Sequence, residues 1–185
     1  MKNGGTIILN GDDDILSGCG PIKGVAPQFF GIGKNNEFYA DNITSLGLKG
    51  TSCTIHLPSG ECFNCTVPLP GAHMVSNALS GAAVGYNLDL TAEEIKAGIE
   101  HLPSIPGRGA IISTDKLVIL DDCYNANPVS MKASMDVLDL AIGRKVAVLG
   151  DMGELGDDAS RMHYETGAYA SKKGIDLVCA IGTLG

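Results

Sequence analysis

Short apolar segments separated by glycine, asparagine and proline fill the first third of the chain. Their length and spacing are typical of β-strands, which we predict at residues 6–9, 28–32, 37–40, 43–46, 51–57 and 61–67. Pro58-Ser59-Gly60 separates the last two segments and indicates a hairpin turn. This part of the chain is therefore expected to be rich in β-strands joined by hairpin links.

A helical pattern replaces the strand pattern after Gly71. Small and apolar residues predict a helix over residues 74–86, and Thr91 with Glu94 matches a capping box that begins a second helix. The stretch 103–109 then contains two prolines and two glycines, a composition typical of a domain boundary. We place that boundary near Gly107, which gives domains 1–106 and 107–185.

The remaining residues alternate between strand and helix patterns. Strands are predicted at 110–113, 117–120, 145–149 and 177–181, and helices at 128–142 and 159–173. In the first of these helices, one apolar face is formed by Met131, Met135, Leu138 and Ile142. Such an order with short links predicts a parallel, Rossmann-like sheet, so the fold class is α/β.

The most informative stretch is the polar loop that follows the predicted strand 117–120. It runs from Asp121 to Asn127, and Pro128 suits the first turn of the helix behind it. Ligands of open α/β sheets bind at the carboxyl ends of the strands, so this loop is the best candidate for a binding site. A second polar turn, Asn10 to Asp14, follows the first strand and is interpreted as either a solvated turn or a ligand contact.

Composition and charge narrow the function classes. The chain has 185 residues, is 44% hydrophobic and carries a net charge of -8, which argues against nucleic acid or an anionic membrane as the main partner. No apolar run reaches membrane-spanning length and no signal pattern opens the chain, so a cytoplasmic location is expected.

Four residues are spaced like zinc ligands. Cys53 and His56 form one pair, and Cys62 and Cys65 form the other. Because residues three apart on a regular strand point to opposite faces, packed or exposed hairpin side chains are the preferred interpretation. We therefore predict reduced thiols and no metal site.

Common nucleotide-binding motifs are absent from the sequence. Nothing matches a P-loop or the G-x-G-x-x-G fingerprint, and Gly31-Ile32-Gly33 is not followed by a helix pattern. The residues alone indicate a nucleotide or small-molecule site at a domain interface, without specifying the chemistry.

Three segments together resemble the Mur ligase family. They are 70–79, 121–131 and 148–156, the last followed by His163, and the resemblance is closest to the branch that adds D-alanyl-D-alanine to a UDP-N-acetylmuramoyl-tripeptide. It implies that residues 1–106 are the second half of the central ATPase domain, with β-rich hairpins and two helices. Residues 107–185 would then be a partial Rossmann-like C-terminal domain.

The resemblance also implies a reaction. ATP and Mg²⁺ convert a substrate carboxylate into an acyl phosphate, which the amine of D-Ala-D-Ala attacks to form an amide in peptidoglycan precursor synthesis. The P-loop lysine and the metal ligands are expected outside this chain, so the 185 residues alone are expected to be inactive. The alternatives are a related ligase such as folylpolyglutamate or cyanophycin synthetase, and a non-catalytic nucleotide-binding or assembly module.

Site residues follow from the matching positions. The resemblance implies catalytic roles for Arg108 and Asp122. It implies nucleotide contacts by His73, Asn77, Arg108, Asp122, Tyr124 and Asn125. It implies substrate contacts by Asn125, Asn127, Asp151 and Glu154.

Each of these positions also has a structural interpretation. Asn77 suits packing, Arg108 a surface salt bridge, and the 121–127 loop a network of turn and cap hydrogen bonds. Asp151 and Glu154 suit a helix start. His163 is interpreted as a structural histidine, because spacing assigns it no partner.

Overall fold

The computed structural model of the protein describes residues 5–184, which form two compact units. The first ends at Leu102 and the second begins at Pro103. This division lies before the sequence-based boundary near Gly107.

The first unit contains one five-stranded sheet with the strands in chain order. The strands are β1 (Ile7–Asn10), β2 (Pro27–Gly31), β3 (Phe38–Ser45), β4 (Thr51–His56) and β5 (Cys62–Val67). The hairpin links are confirmed for β3, β4 and β5, which pair antiparallel. The expectation of hairpin links is wrong for β2, which pairs with β3 in parallel, and β1 pairs with β2 in parallel as well.

The two segments predicted at 37–40 and 43–46 form a single strand, β3. The register of β3 against β4 shifts between Asp41 and Thr44, and Asn42 has a φ of 51°. A bulge of this kind inserts a residue and breaks the apolar alternation, which is why the sequence looked like two strands.

Helices α1 (His73–Asn87) and α2 (Ala92–Glu100) pack against this sheet. The capping box is confirmed, since Thr91 Oγ1 accepts from the Glu94 N–H and a Glu94 carboxylate oxygen accepts from the Thr91 N–H. The fully buried centre of the core comprises Phe38, Ile55, Val75, Leu79, Ala82 and Ala83.

The described part of the second unit, residues 103–184, has two small sheets and two α-helices. Its elements are β6 (Ala110–Ser113), β7 (Val118–Asp121), α3 (Pro128–Asp139), β8 (Val146–Gly150), α4 (Ala159–Ala170) and β9 (Leu177–Ile181). The predicted parallel pairing is confirmed for β8 and β9, which are connected through α4. Within residues 5–184, β7 pairs with β6 in an antiparallel hairpin and not with β8. Periodicity locates strands but does not select their neighbours, and the Thr114 hydroxyl closes the turn that creates this hairpin.

Helix α3 is shorter than its apolar pattern suggested. It ends at Asp139, so Met135 is buried as predicted whereas Ile142 lies beyond the helix and is fully exposed. Lys145 Nζ donates to the carbonyl oxygen of Asp139 at 2.7 Å and to its carboxylate at 3.0 Å, which satisfies the helix end. No helix within residues 5–184 is both long and apolar enough to cross a membrane.

Candidate functional site

The polar loop of the second unit joins the end of β7 to the start of α3. Asn127 is the N-cap of α3, and its Oδ1 accepts from the N–H groups of Val129 at 3.0 Å and Ser130 at 2.9 Å. Ser130 Oγ in turn accepts from the Asn127 N–H at 3.1 Å. The Asn127 oxygen is therefore committed to the helix, which leaves its amide NH₂ for any ligand contact.

Two neighbouring carboxylates at the end of β7 have different surroundings. Asp121 Oδ2 accepts from the Gly107 N–H at 2.9 Å, which confirms the expectation that Asp121 supports the turn. Hydrogen bonds from the Cys123 thiol and the Gly107 N–H hold the pKa of the Asp121 carboxyl below its ordinary value. Asp122 is exposed and accepts a hydrogen bond from Ser134 Oγ on α3. Asp121 thus accepts from the backbone, whereas Asp122 accepts from a side chain of α3.

Arg108 is placed against the same loop. Its guanidinium carbon lies 4.0 Å from the centre of the Tyr124 ring, the geometry of a cation–π contact. The Tyr124 N–H donates to the Gly107 carbonyl at 3.0 Å, so the backbone beside Arg108 is tied to the loop as well. Gly107 has a φ of 75°, which glycine adopts without strain. Arg108 is exposed and forms no salt bridge among residues 5–184, in contrast to its structural interpretation.

Asn125 lies on the exposed part of the loop. Its Oδ1 accepts from the N–H of Ala126 at 2.9 Å, a local hydrogen bond that leaves the amide NH₂ facing solvent. The loop therefore presents an aromatic ring, a carboxylate and two carboxamides, and Arg108 adds a guanidinium beside them. Such a set can bind the hydroxyls and phosphates of a nucleotide, or the peptide groups of a short peptide.

Asp151 and Glu154 follow β8, and their environments differ. The Asp151 oxygens accept from the Thr183 N–H at 2.9 Å and the Leu184 N–H at 3.1 Å, beyond the end of β9. These hydrogen bonds lower the pKa of the Asp151 carboxyl, and the bond from Thr183 has the largest effect. Within residues 5–184 no hydrogen bond or ion pair engages the Glu154 carboxylate, and Glu154 is exposed with a φ of 59°. Neither residue begins α4, so the helix-start interpretation does not describe them.

His163 is hydrogen-bonded to the segment that follows β8. Its Nε2 accepts from the Met152 N–H at 2.8 Å, which requires the other ring nitrogen, Nδ1, to carry the hydrogen and donate to the Ala159 carbonyl at 2.7 Å. The side chain is 6% exposed. These contacts confirm its interpretation as a structural histidine.

The two remaining predicted residues, His73 and Asn77, lie in the first unit. His73 is the first residue of α1, and Asn77 is exposed one turn later with its amide 3.4 Å from Met74 Sδ. Asn77 also lines a largely apolar cavity of about 200 Å³ with glycines of α1 and α2. A carboxamide beside small residues can meet the edge of a planar base.

The four zinc-spaced residues are divided between the two faces of the β4–β5 hairpin. Cys53 is opposite Cys65, and both are buried in the core. His56 is opposite the exposed Cys62, and its Nε2 lies 3.0 Å from Asp41. Residues 5–184 contain no group of three or more histidine, cysteine or acidic side chains that could hold a metal ion. The zinc alternative is therefore not supported.

Two contacts were missed from the sequence. Ser134 reaches Asp122 from α3, and it lies one turn beyond Ser130 on the same helix face. Asp12, taken to be in either a solvated turn or a ligand contact, accepts instead from the backbone N–H groups of Ile32 and Gly33. A Cβ at position 31 would overlap the Asp12 carboxylate, which explains why this position is glycine. Both contacts join segments far apart in the chain, and spacing alone carries no signal for them.

Comparison with known families agrees with this arrangement. The model of the Mur ligase middle domain matches residues 1–85, and that of the Mur ligase glutamate ligase domain matches residues 107–184. UDP-N-acetylmuramoyl-tripeptide--D-alanyl-D-alanine ligase of Escherichia coli (strain K12) is 35% identical over 98% of this chain. The corresponding ligase of Bacillus subtilis (strain 168) is 34% identical over 100% of it. The chain spans 40% of the length of both curated relatives.

Solved structures show the same relationship. MurF from Acinetobacter baumannii superposes with a TM-score of 0.89 at 30% identity, covering 100% of this chain and 40% of that one. A MurF ligase from Thermotoga maritima in complex with ADP has a TM-score of 0.78 over 94% of this chain and 39% of its own. At 22% identity, this second likeness shows the fold alone. From the two matched domains and these relatives, the chain belongs to the Mur ligase family.

Proposed function

We propose that this chain forms nucleotide- and dipeptide-binding parts of an ATP-dependent ligase that joins D-alanyl-D-alanine to a UDP-N-acetylmuramoyl-tripeptide. The main support is the 35% identity with the Escherichia coli ligase across 98% of the chain. The exposed polar side chains of the 121–127 loop are consistent with it. A cytoplasmic location, where ATP is available, belongs to the same proposal.

The proposed reaction has two steps. A carboxylate oxygen of the tripeptide attacks the γ-phosphorus of ATP, so that ADP leaves and an acyl phosphate forms. The amine of D-Ala-D-Ala then attacks the acyl carbon, and phosphate leaves as the amide is made. Both steps depend on positioning the reactants and stabilising phosphate charge.

Two residues of the second unit are proposed for the nucleotide. Asp122 accepts hydrogen bonds from the ribose hydroxyls, and the Ser134 hydroxyl fixes the rotamer of its carboxylate. Arg108 stabilises phosphate charge, for which a forked and permanently charged guanidinium is suited. For the first unit by itself, we propose that the carboxamide of Asn77 contacts a base edge.

Glu154 is our preferred partner for the ammonium group of D-Ala-D-Ala. Asp151 was an equal candidate on sequence, but its oxygens already accept from Thr183 and Leu184. Moving Asp151 onto a ligand would release those backbone groups, whereas Glu154 has no such bonds to lose among the described residues. The amide NH₂ groups of Asn125 and Asn127 are proposed to meet the carbonyl oxygens of the dipeptide.

The described residues provide no cluster of three metal-binding side chains, so they do not fit a magnesium site by themselves. No step of the proposal is assigned to the metal within this chain.

Calorimetric titration of the chain with ADP and with D-Ala-D-Ala tests the proposal. Weak binding of the dipeptide together with the nucleotide supports the ligase assignment. Binding of the nucleotide alone favours the non-catalytic nucleotide-binding module. If neither ligand binds at millimolar concentration, the proposed site residues are wrong for this chain.

Variants assign the binding to residues. Asp122→Asn is expected to weaken ADP binding at least about tenfold, because a charged acceptor is lost. Ser134→Ala is expected to weaken it less, since only the orientation of Asp122 changes. The matched control is Asp115→Asn, which removes an exposed carboxylate in the β6–β7 turn and leaves ADP affinity unchanged. Equal effects of Asp122→Asn and Asp115→Asn would contradict the role of Asp122.

A further inference from the structure

Two buried cysteines of the first unit lie directly opposite each other. Cys53 of β4 and Cys65 of β5 are register partners in an antiparallel pair, with their sulfur atoms 3.8 Å apart. Each side chain is less than 5% exposed. Directly opposed residues of antiparallel strands have Cα atoms about 4.5–5.5 Å apart, within the range of about 4.4–6.8 Å that disulfides span. The backbone therefore already has the spacing that a disulfide requires.

The pair is buried from the surface but borders a cavity. This cavity has a volume of about 450 Å³, and its lining includes both cysteines with Lys96 and Glu100 of α2. Asn42, which is exposed, lines it too, so solvent and small molecules can enter. A small oxidant can therefore reach the two sulfur atoms through this cavity.

We propose that Cys53 and Cys65 are an oxidative modification site, at which hydrogen peroxide converts the two thiols into a reversible intramolecular disulfide. The Cys53 sulfur attacks one peroxide oxygen and the O–O bond breaks. The products are one water molecule and a sulfenic acid on Cys53. The Cys65 sulfur then attacks the Cys53 sulfur and expels the second water. Two thiol hydrogens are lost, and the two electrons from sulfur reduce one peroxide to two waters.

The electrostatics of the pair favour this order. The hydrogen bond between the two thiols lowers the pKa of Cys53, because Cys65 stabilises the Cys53 thiolate. The same bond, followed by burial, raises the pKa of Cys65. We therefore assign Cys53 as the sulfur that attacks the peroxide and Cys65 as the sulfur that attacks the sulfenic acid.

The test is peroxide treatment of the folded 185-residue chain, followed by alkylation and mass spectrometry. The expected product has lost two hydrogen atoms, and dithiothreitol restores the original mass. Tryptic cleavage cannot localise the bond, because no lysine or arginine lies between residues 49 and 96. A protease that cleaves after glutamate separates residues 38–61, which contain Cys53, from residues 62–93, which contain Cys62 and Cys65, so substitution of Cys62 is needed to assign the bond to Cys65. A disulfide-linked pair of these two peptides is the expected result.

Matched variants exclude the two exposed cysteines and test the role of Cys53. The double variant Cys62→Ser/Cys123→Ser removes the two exposed thiols and is expected to retain the full loss of two hydrogens. In that background Cys53→Ala, which keeps a small apolar side chain, is expected to reduce the linked product to less than about a tenth. Circular dichroism checks that each variant is folded. The proposal is overturned if peroxide leaves Cys53 and Cys65 open to alkylation after unfolding, or if Cys62 supplies one end of the bond.

Discussion

The N-cap of α3 gives a quantitative test of how Asn127 acts. Asn127→Ala removes the oxygen that accepts from two backbone N–H groups at 2.9 and 3.0 Å, while the Asn127 N–H keeps its partner, Ser130 Oγ. Loss of an N-cap costs about 0.5–2 kcal/mol. Because this cap is exposed, water replaces part of the lost bonding, and we expect about 1 kcal/mol. That free energy corresponds to a roughly fivefold change in the unfolding equilibrium.

Amide hydrogen exchange within α3 measures this change directly. The control is Asn127→Asp, which keeps the accepting oxygen and adds a negative charge at the helix N-terminus, so its stability is expected to equal or exceed that of the parent. The same control lacks the amide NH₂ and should weaken D-Ala-D-Ala binding if Asn127 contacts the dipeptide. The reasoning is refuted if Asn127→Ala exchanges like the parent chain, or if Asn127→Asp is destabilised as much as Asn127→Ala.

Three further predictions concern packing, pH and activity. Gly31→Ala is expected to lower the free energy of unfolding, measured by thermal denaturation, by about 1–3 kcal/mol, because the new Cβ overlaps the Asp12 carboxylate. The control is Gly33→Ala, whose Cβ would lie 3.6 Å from that carboxylate and which should leave the stability nearly unchanged. The lowered pKa of Asp151 means that its contribution to stability is present above about pH 3.9 and is lost as the pH falls through the folded-state pKa. Urea midpoints of Asp151→Asn should therefore change less than those of the parent between pH 5 and pH 2, taken as roughly the window of carboxyl titration. The 185-residue chain alone should form no amide from ATP, UDP-tripeptide and D-Ala-D-Ala, and product detected by mass spectrometry would contradict the need for a P-loop.

The loop that carries the proposed site is fixed mainly by contacts with the backbone of residue 107. Asp121 accepts from the Gly107 N–H and Tyr124 donates to the Gly107 carbonyl, so residue 107 is held on both sides. Arg108 then packs over the Tyr124 ring. A guanidinium held in this way loses less side-chain entropy when it binds a phosphate, which is the advantage of a preorganised site.

Much of this architecture was determined by local sequence. The caps at Thr91 and Asn127 were predictable because a cap depends on side chains within three residues of each other. Strand β9 was predicted with the bounds that the structure gives it, since a short apolar run between polar turns has few other solutions. The family resemblance likewise depends on contiguous motifs, which can be identified in the sequence without knowledge of the fold.

Only the tertiary structure decided which side chains meet. The parallel pairing of β1 with β2, the hairpin of β6 with β7, and the contact of Ser134 with Asp122 join residues whose separation in the chain carries no periodic signal. The same holds for Asp151. The sequence does not show that its carboxylate accepts hydrogen bonds from the N–H groups of residues 183 and 184. Local pattern determines the elements because their hydrogen bonds and caps are short in range. Strand order and side-chain partners are set by burial and polar satisfaction across the whole chain, which the sequence encodes only collectively.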